Sequence, residues 1–363
     1  MTAEPIPPSE LKLFDVNRIP TQREREARLD QIRRAAEKLV EHANPAREPG
    51  AFPHATPQTG YYGLPLIKPA PWSWEIPAYF FVGGIAGASA IIANAAKWIG
   101  RDRTLVSDAR WLAAIGGVIS PVLLTADLGR PLRFFNMLRV FKPQSPMSVG
   151  SWTLAAFSSS AAAAAFFGAY ENGSTPVRVL VNAADTMAAA TGLVLATYTG
   201  VLIGATAVPV WKENVSILPI HFGMSRLAAA TSVLELVGHT SPALNTAGLL
   251  ASVGETIIGA KTELNKNRVM TPLKKGKSGW LTRIGGLLSG PVPLVLRLLA
   301  GNSAGAKGLR LRRAAAVSSI AGSLITRTAW ISAGKASTED PTLQLDQPAS
   351  SPKTLNKAES VPR

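Results

Sequence analysis

Three stretches of this chain carry no formal charge: Ile76 to Ala96, Val149 to Tyr170 and Thr186 to Trp211, of 21, 22 and 26 residues. A helix needs roughly 20 predominantly apolar residues to cross a hydrocarbon core. A water-soluble protein can bury one such helix; three in 363 residues point to a bilayer. Charged residues make up 17% of the chain, against about 25% in soluble domains. The expected fold is an all-α integral membrane protein of eight transmembrane helices. The expected spans are approximately 76–97, 109–126, 149–170, 179–205, 214–237, 240–260, 281–300 and 314–333. The fifth and sixth carry Arg226, Glu235 and Glu255, and the last two carry Arg297 and Arg327.

The net charge of +15 does not call for nucleic acid. Residues 1–75 hold ten basic and ten acidic side chains, so the excess lies wholly in the remainder. There it sits mainly in loops between apolar segments, where basic flanks meet anionic lipid headgroups. The chain has no cysteine, so it cannot hold an iron–sulfur cluster through thiolates or attach a c-type haem. Of four histidines, His42 and His54 lie in the polar tail, and only His221 is clearly at membrane depth. No facing pair is left for a bis-histidine haem.

Three regions are expected: a polar N-terminal extension and linker (1–75), a transmembrane domain (76–333) and a disordered C-terminal tail (334–363). Within the extension, Thr21 to Glu24 forms a capping box, and Leu29, Ile32, Ala36, Leu39 and Ala43 recur at helical spacing. That helix is either a solvated surface helix or one that docks on a partner or the membrane. Residues 49–71 are rich in Pro and Gly and read as a linker. Gly83 and Gly87 form a GxxxG pair, a close-packing signal between membrane helices. Loops after even-numbered spans hold 12 Lys and Arg and those after odd-numbered spans hold 9. This bias, and the charged tail, place both termini in the cytoplasm of a cell (inner) membrane protein.

The span ends sort onto two faces, and one gathers chemistry. Trp72, Trp74, Glu75 and Tyr79 lie at the start of the first span; Asp127, Arg130 and Arg133 lie at the end of the second. Tyr198 lies in the fourth span toward this face, and His221 is less than two turns into the fifth. Aromatic rings with a carboxylate, a phenol and an imidazole can hold a flat ligand with two oxygens and manage its protons. The tryptophans equally fit an interfacial belt, and Asp127 with Arg130 equally fits a structural ion pair. Charges at bilayer depth are functional candidates by default. Arg226, Glu235 and Glu255 form either a proton path or a set that satisfies itself inside the bundle.

Five motifs stand in order: Trp74-Glu-Ile-Pro-Ala-Tyr79 running on to Ala88, Asp127-Leu-Gly-Arg-Pro131, Arg133-Phe-Phe-Asn-Met137, Ser145-Pro-Met-Ser-Val-Gly-Ser-Trp152 and Tyr198-Thr-Gly-Val-Leu202. Together they resemble the NrfD-type membrane subunit of the polysulfide reductase family, strongly over residues 60–211 and by hydropathy alone over 212–333. The resemblance implies two four-helix bundles and a quinone (menaquinone or ubiquinone) bound near one membrane face, with no haem or cluster in this chain. It implies a ferredoxin-like iron–sulfur partner subunit and, in many members, a molybdopterin catalytic subunit. Tyr198 matches the family's quinone-contacting tyrosine. Glu75 and Trp74 stand where other members place a histidine or asparagine, so Glu75 or Asp127 is expected to relay protons, and Trp74, Tyr79, Arg130 and His221 to line the ligand. Two other readings remain: an ion- or solute-coupled transporter, whose charges would line a path, and an assembly scaffold without an active quinone site.

Overall fold

The computed structural model describes residues 67–340, apart from 69, 101, 129–133, 172 and 302–304, together with 343. The expected helix over 21–43, nearly all of the linker at 49–71, and Arg130 and Arg133 lie outside the described residues. The long helices are α1 (Glu75–Trp98), α2 (Arg103–Asp127), α3 (Pro146–Gly168), α4 (Thr175–Gly204), α5 (Leu218–Val237), α6 (Pro242–Leu264), α7 (Gly276–Ser289), α8 (Pro291–Gly301) and α9 (Gly305–Glu339). Among the described residues there is no strand.

Local chemistry sets these boundaries. Asp102 accepts from the Thr104 amide at 3.0 Å to open α2, and α3, α4, α5 and α6 carry proline at their first or second position. Gly238 closes α5 at φ 126°, where a side chain would be strained. Pro121 lies inside α2 and cannot donate to the carbonyl of Gly117. The Ser158 hydroxyl of α3 donates to that carbonyl instead, at 2.7 Å. One interhelical bond of this kind is worth about 0.6–2 kcal/mol in a membrane.

Each expected span overlaps helix, although the fifth begins only at Leu218 and the seventh is divided between α7 and α8. Four segments are long and apolar enough to cross a membrane: α1, α2, α4 and the α7–α8 pair over Gly276–Gly301. The pair is interrupted at Gly290, followed by Pro291 and Pro293. The other helices dilute their apolar content with hydroxyls (α3) or with charges (α5, α6 and α9). The C-terminal boundary differs from expectation: α9 runs past residue 333 to Glu339. Gly334 is packed against the Trp211 indole, and Lys335 donates to the Trp72 carbonyl at 2.5 Å. Contacts of this kind keep the last turns helical.

The helices pack as two bundles, α1–α4 and α5–α9, with α1 and α4 meeting α5 at the seam. Small residues make this possible. A Cβ on Gly87 would lie 2.5 Å from the Gly192 carbonyl oxygen on α4, and one on Gly83 3.0 Å from the Ser120 hydroxyl on α2. Gly84 faces the Arg226 side chain, which enters from α5. Arg226 is fully buried and donates to the backbone carbonyls of Leu195 (3.0 Å) and Phe80 (3.2 Å), and also to Ala196 and the Thr199 hydroxyl.

The first bundle is tied at its other end by charge. Asp185 of α4 is buried and accepts from Arg110 (2.5 and 2.8 Å) and Lys97 (2.9 Å); Glu171 pairs with the same two cations at 3.1 and 2.5 Å. Burial alone would raise the Glu171 carboxyl, but the hydrogen bonds and charges of Lys97 and Arg110 outweigh it and hold it below the usual carboxylate range. A carboxyl lowered by folding stabilises above its unfolded pKa, and that stability is lost as pH falls through the lower folded value. Thermal stability in detergent is therefore expected to fall on acidification through that range. Glu171→Gln should flatten this dependence; an unchanged pH profile in the variant would contradict it.

Candidate active-site cleft

The start of α1, the ends of α2 and α4 and the start of α3 converge on one face, as the span order requires. There they enclose a narrow cleft of about 80 Å³ lined by Trp72, Tyr79, Asp127, Met147, Gly150 and Tyr198, among others. One glycine shapes it. The Tyr198 ring lies directly on Gly150, in space that any Cβ would occupy. The Tyr198 hydroxyl donates to the Pro146 carbonyl in the first turn of α3. Tyr79 is buried beside it.

Trp72, not Trp74, is the indole that enters the site. Trp72 stacks on Trp211 (centroids 5.4 Å apart, planes 15° apart) and meets the edge of Phe80 at 6.2 Å. Trp74 is 69% exposed and does not line the cleft, which corrects the expectation that it would. The two side chains differ because Trp72 lies in the non-helical approach while Trp74 stands where α1 begins.

Asp127 and Glu75 are brought together by a residue the sequence did not single out. Ser73 donates its amide (3.2 Å) and hydroxyl (2.8 Å) to Asp127 Oδ1, and the hydroxyl also lies against Glu75. The result is a hydrogen-bonded chain from the cleft wall through Ser73, which is exposed, to Glu75. Asp127 touches the cleft directly; Glu75 reaches it only through Ser73.

His221 does not join this cleft. It is buried in the second bundle, 3.6 Å from Glu255, and lines a separate cavity. Nor do Arg226, Glu235 and Glu255 satisfy one another. Glu235 pairs with Arg297 at 2.7 Å, Glu255 accepts from Ser289 at 2.7 Å, and Arg226 bonds to carbonyls and a hydroxyl. Among the described residues no hydrogen bond joins any two of the three, so they do not form a direct relay.

Described residues from all five motifs line this cleft, among them Tyr79, Asp127, Met137, Gly150 and Tyr198. A family model described as "Polysulphide reductase, NrfD" matches residues 66–252, more than half of the 363 residues. The chain belongs to the NrfD family. It is an all-α membrane protein of that family. The match reaches beyond residue 211, through α5 and into α6. The protein is also similar to a component of the polysulfide reductase of Wolinella succinogenes, at 30% identity over 93 residues. That similarity covers 24% of this protein and 29% of the relative's length.

Proposed function

We propose that this NrfD-family protein is the quinone-handling membrane anchor of a multisubunit oxidoreductase and that the cleft between α1, α2, α3 and α4 receives the quinone or quinol ring. The observation that carries this reading is the composition of the cleft: two buried phenols and an indole beside a carboxylate that is hydrogen-bonded outward. Flat ring faces suit a flat substrate, and the polar groups are confined to its edge. The exposed Met147 at the rim leaves an apolar way out for an isoprenoid tail.

Quinone–quinol exchange moves two electrons and two protons. The chain has no cysteine to hold a cluster, so in this proposal the electrons pass to or from a ferredoxin-like iron–sulfur subunit docked on the cleft face, with a molybdopterin subunit beyond it. Negative charge on a ring oxygen is costly in low dielectric, and the Tyr198 hydroxyl answers that cost. Its oxygen can accept from a quinol hydroxyl while its proton rests on Pro146, and the hydroxyl can turn to donate to a carbonyl. Asp127 exchanges the proton, and Ser73 and Glu75 pass it between the cleft and water. The same proposal sets the protein in the cell membrane with cytoplasmic termini.

Tyr198→Phe tests the assignment. It keeps the ring against Gly150 and removes the donor, so quinone-linked turnover is expected to fall about tenfold or more, the equivalent of one hydrogen bond. Insertion and thermal stability should stay near wild type. Turnover equal to wild type in the reconstituted complex would remove Tyr198 from the site.

A further inference from the structure

The second bundle holds a larger cavity that the cleft chemistry does not use. It measures about 410 Å³ and is bounded by α5, α6, α7, α8 and α9. Its polar end is buried: His221 is 7% exposed and Glu255 is 2% exposed. Neither ring nitrogen of His221 has a hydrogen-bond partner, and neither does Oε1 of Glu255. Buried polar atoms without partners are costly; these three and Thr326 Oγ1 belong to residues lining one cavity and describe a hydrogen-bonding pattern awaiting its complement. The rest of the wall is largely apolar or bare backbone, with Gly259, Gly286, Leu287 and Trp330 among its members.

Charge narrows the class of ligand. Two carboxylates, Glu255 and Glu263, line the cavity, and the guanidinium on its wall, Arg283, is already held by Glu263 at 2.7 Å. A phosphate or carboxylate head would meet carboxylates with no unclaimed cation on that wall. A neutral head with a hydroxyl or carbonyl oxygen can instead take a proton from one imidazole nitrogen or donate one to Glu255. We infer that this cavity is a second binding site, for a neutral lipid-soluble molecule whose ring-sized head hydrogen-bonds His221 and Glu255 and whose apolar part lies along Gly259 and Gly286. The inference holds whether or not the first cleft takes a quinone.

Three indoles connect the two sites. Trp72 in the cleft wall stacks on Trp211, Trp211 donates to the Trp330 carbonyl at 2.8 Å, and the Trp330 ring stands edge-on to His221 at 5.9 Å. The polar end of the cavity is therefore linked to the cleft wall through two ring contacts and one indole–carbonyl hydrogen bond.

Two glycines make the test clean. A Cβ on Gly259 or on Gly286 would meet nothing within 4 Å, and both residues line the cavity, so a leucine at either starts in open space and is expected to occupy the cavity. Leucine is also a better helix former than glycine. The full-length protein in phosphatidylcholine nanodiscs would be labelled with a photoreactive azidoquinone, and cross-links mapped by peptide. Labelling is expected within residues 255–263 and 282–291. It should drop about tenfold or more in both Gly259→Leu and Gly286→Leu, with unchanged thermal stability, and in His221→Leu. Excess unlabelled quinone should compete, whereas excess phosphatidylglycerol should not. No labelling of these peptides in wild type would overturn the inference. So would labelling that persists in both glycine variants, which marks a lipid-facing surface, or labelling displaced by phosphatidylglycerol, which marks a phospholipid site. Cross-links near Met147 and Tyr198 are read in the same digest, so failure of the cleft proposal is distinguished from failure of this one.

Discussion

Gly150→Leu is expected to lower quinone-linked turnover about 100-fold, the scale on which a displacement of about 1 Å in a positioning group acts. The Tyr198 ring occupies the volume in which any side chain at residue 150 would have to sit. Leucine therefore expels the ring, breaks its bond to Pro146 and fills the cleft. Residue 150 lies within α3, where leucine is intrinsically better than glycine, so loss of function should not come from a weaker helix. Gly150→Ala should give a smaller loss of the same kind, because the ring can retreat from one methyl more easily than from four carbons. Turnover would be measured with a soluble quinone analogue in the reconstituted complex. Wild-type rates in Gly150→Leu would show that the cleft is not where the ring reacts.

The largest expected effect on stability is at the opposite end of the first bundle. Asp185→Asn should cost about 3–5 kcal/mol, the range for removing one partner of a buried ion pair. Asp185 is 3% exposed and Arg110 6% exposed, so the pair is largely shielded from water. Glu171 remains near Arg110 but is more exposed and holds it at the longer distance of 3.1 Å. Thermal unfolding in detergent checks this. A change below about 1 kcal/mol, the value of an exposed pair, would contradict the structural role. Replacing Arg110 and Asp185 together by leucine should recover much of the loss, because no uncompensated charge is then buried.

The helices were legible in the sequence because a bilayer demands long stretches without charge, and Ile76–Ala96 and Thr186–Trp211 supply them. The same criterion hid Asp185. It borders a charge-free run and lies inside the expected span 179–205, but nothing in the run named its partners; α4, which begins at Thr175, buries it against Arg110 and Lys97. Arg110, at the edge of the expected span 109–126, is tallied with the basic loop residues, yet α2 begins at Arg103 and buries it. The cleft was legible as a set of span ends, which is why Tyr79, Asp127 and Tyr198 meet in it. Which way each side chain turns was not. His221 shares the correct face of the membrane but points into the other bundle, and Trp72 takes the place expected for Trp74.

One misplacement was already implicit in helical spacing. Arg226 and Glu235 are separated along α5 by two and a half turns at about 3.6 residues per turn, which puts them on opposite sides of the helix. They cannot face each other, and each finds a different neighbour: carbonyls of α1 and α4 for Arg226, Arg297 of α8 for Glu235. Ser73 and Gly150 carry no such signal. A serine before a helix and a glycine within one acquire meaning only from what the fold sets against them.

The Arg226 side chain also bears on how molecules travel through the protein. One guanidinium grips main-chain oxygens on two helices of the neighbouring half, so prising the halves apart would strip several donors at once in a medium that offers no replacements. Arg226 therefore opposes separation of the two halves at this seam. If the cleft and the cavity take ligands as proposed, entry between adjacent helices from the lipid side is expected to cost less than an opening between the halves.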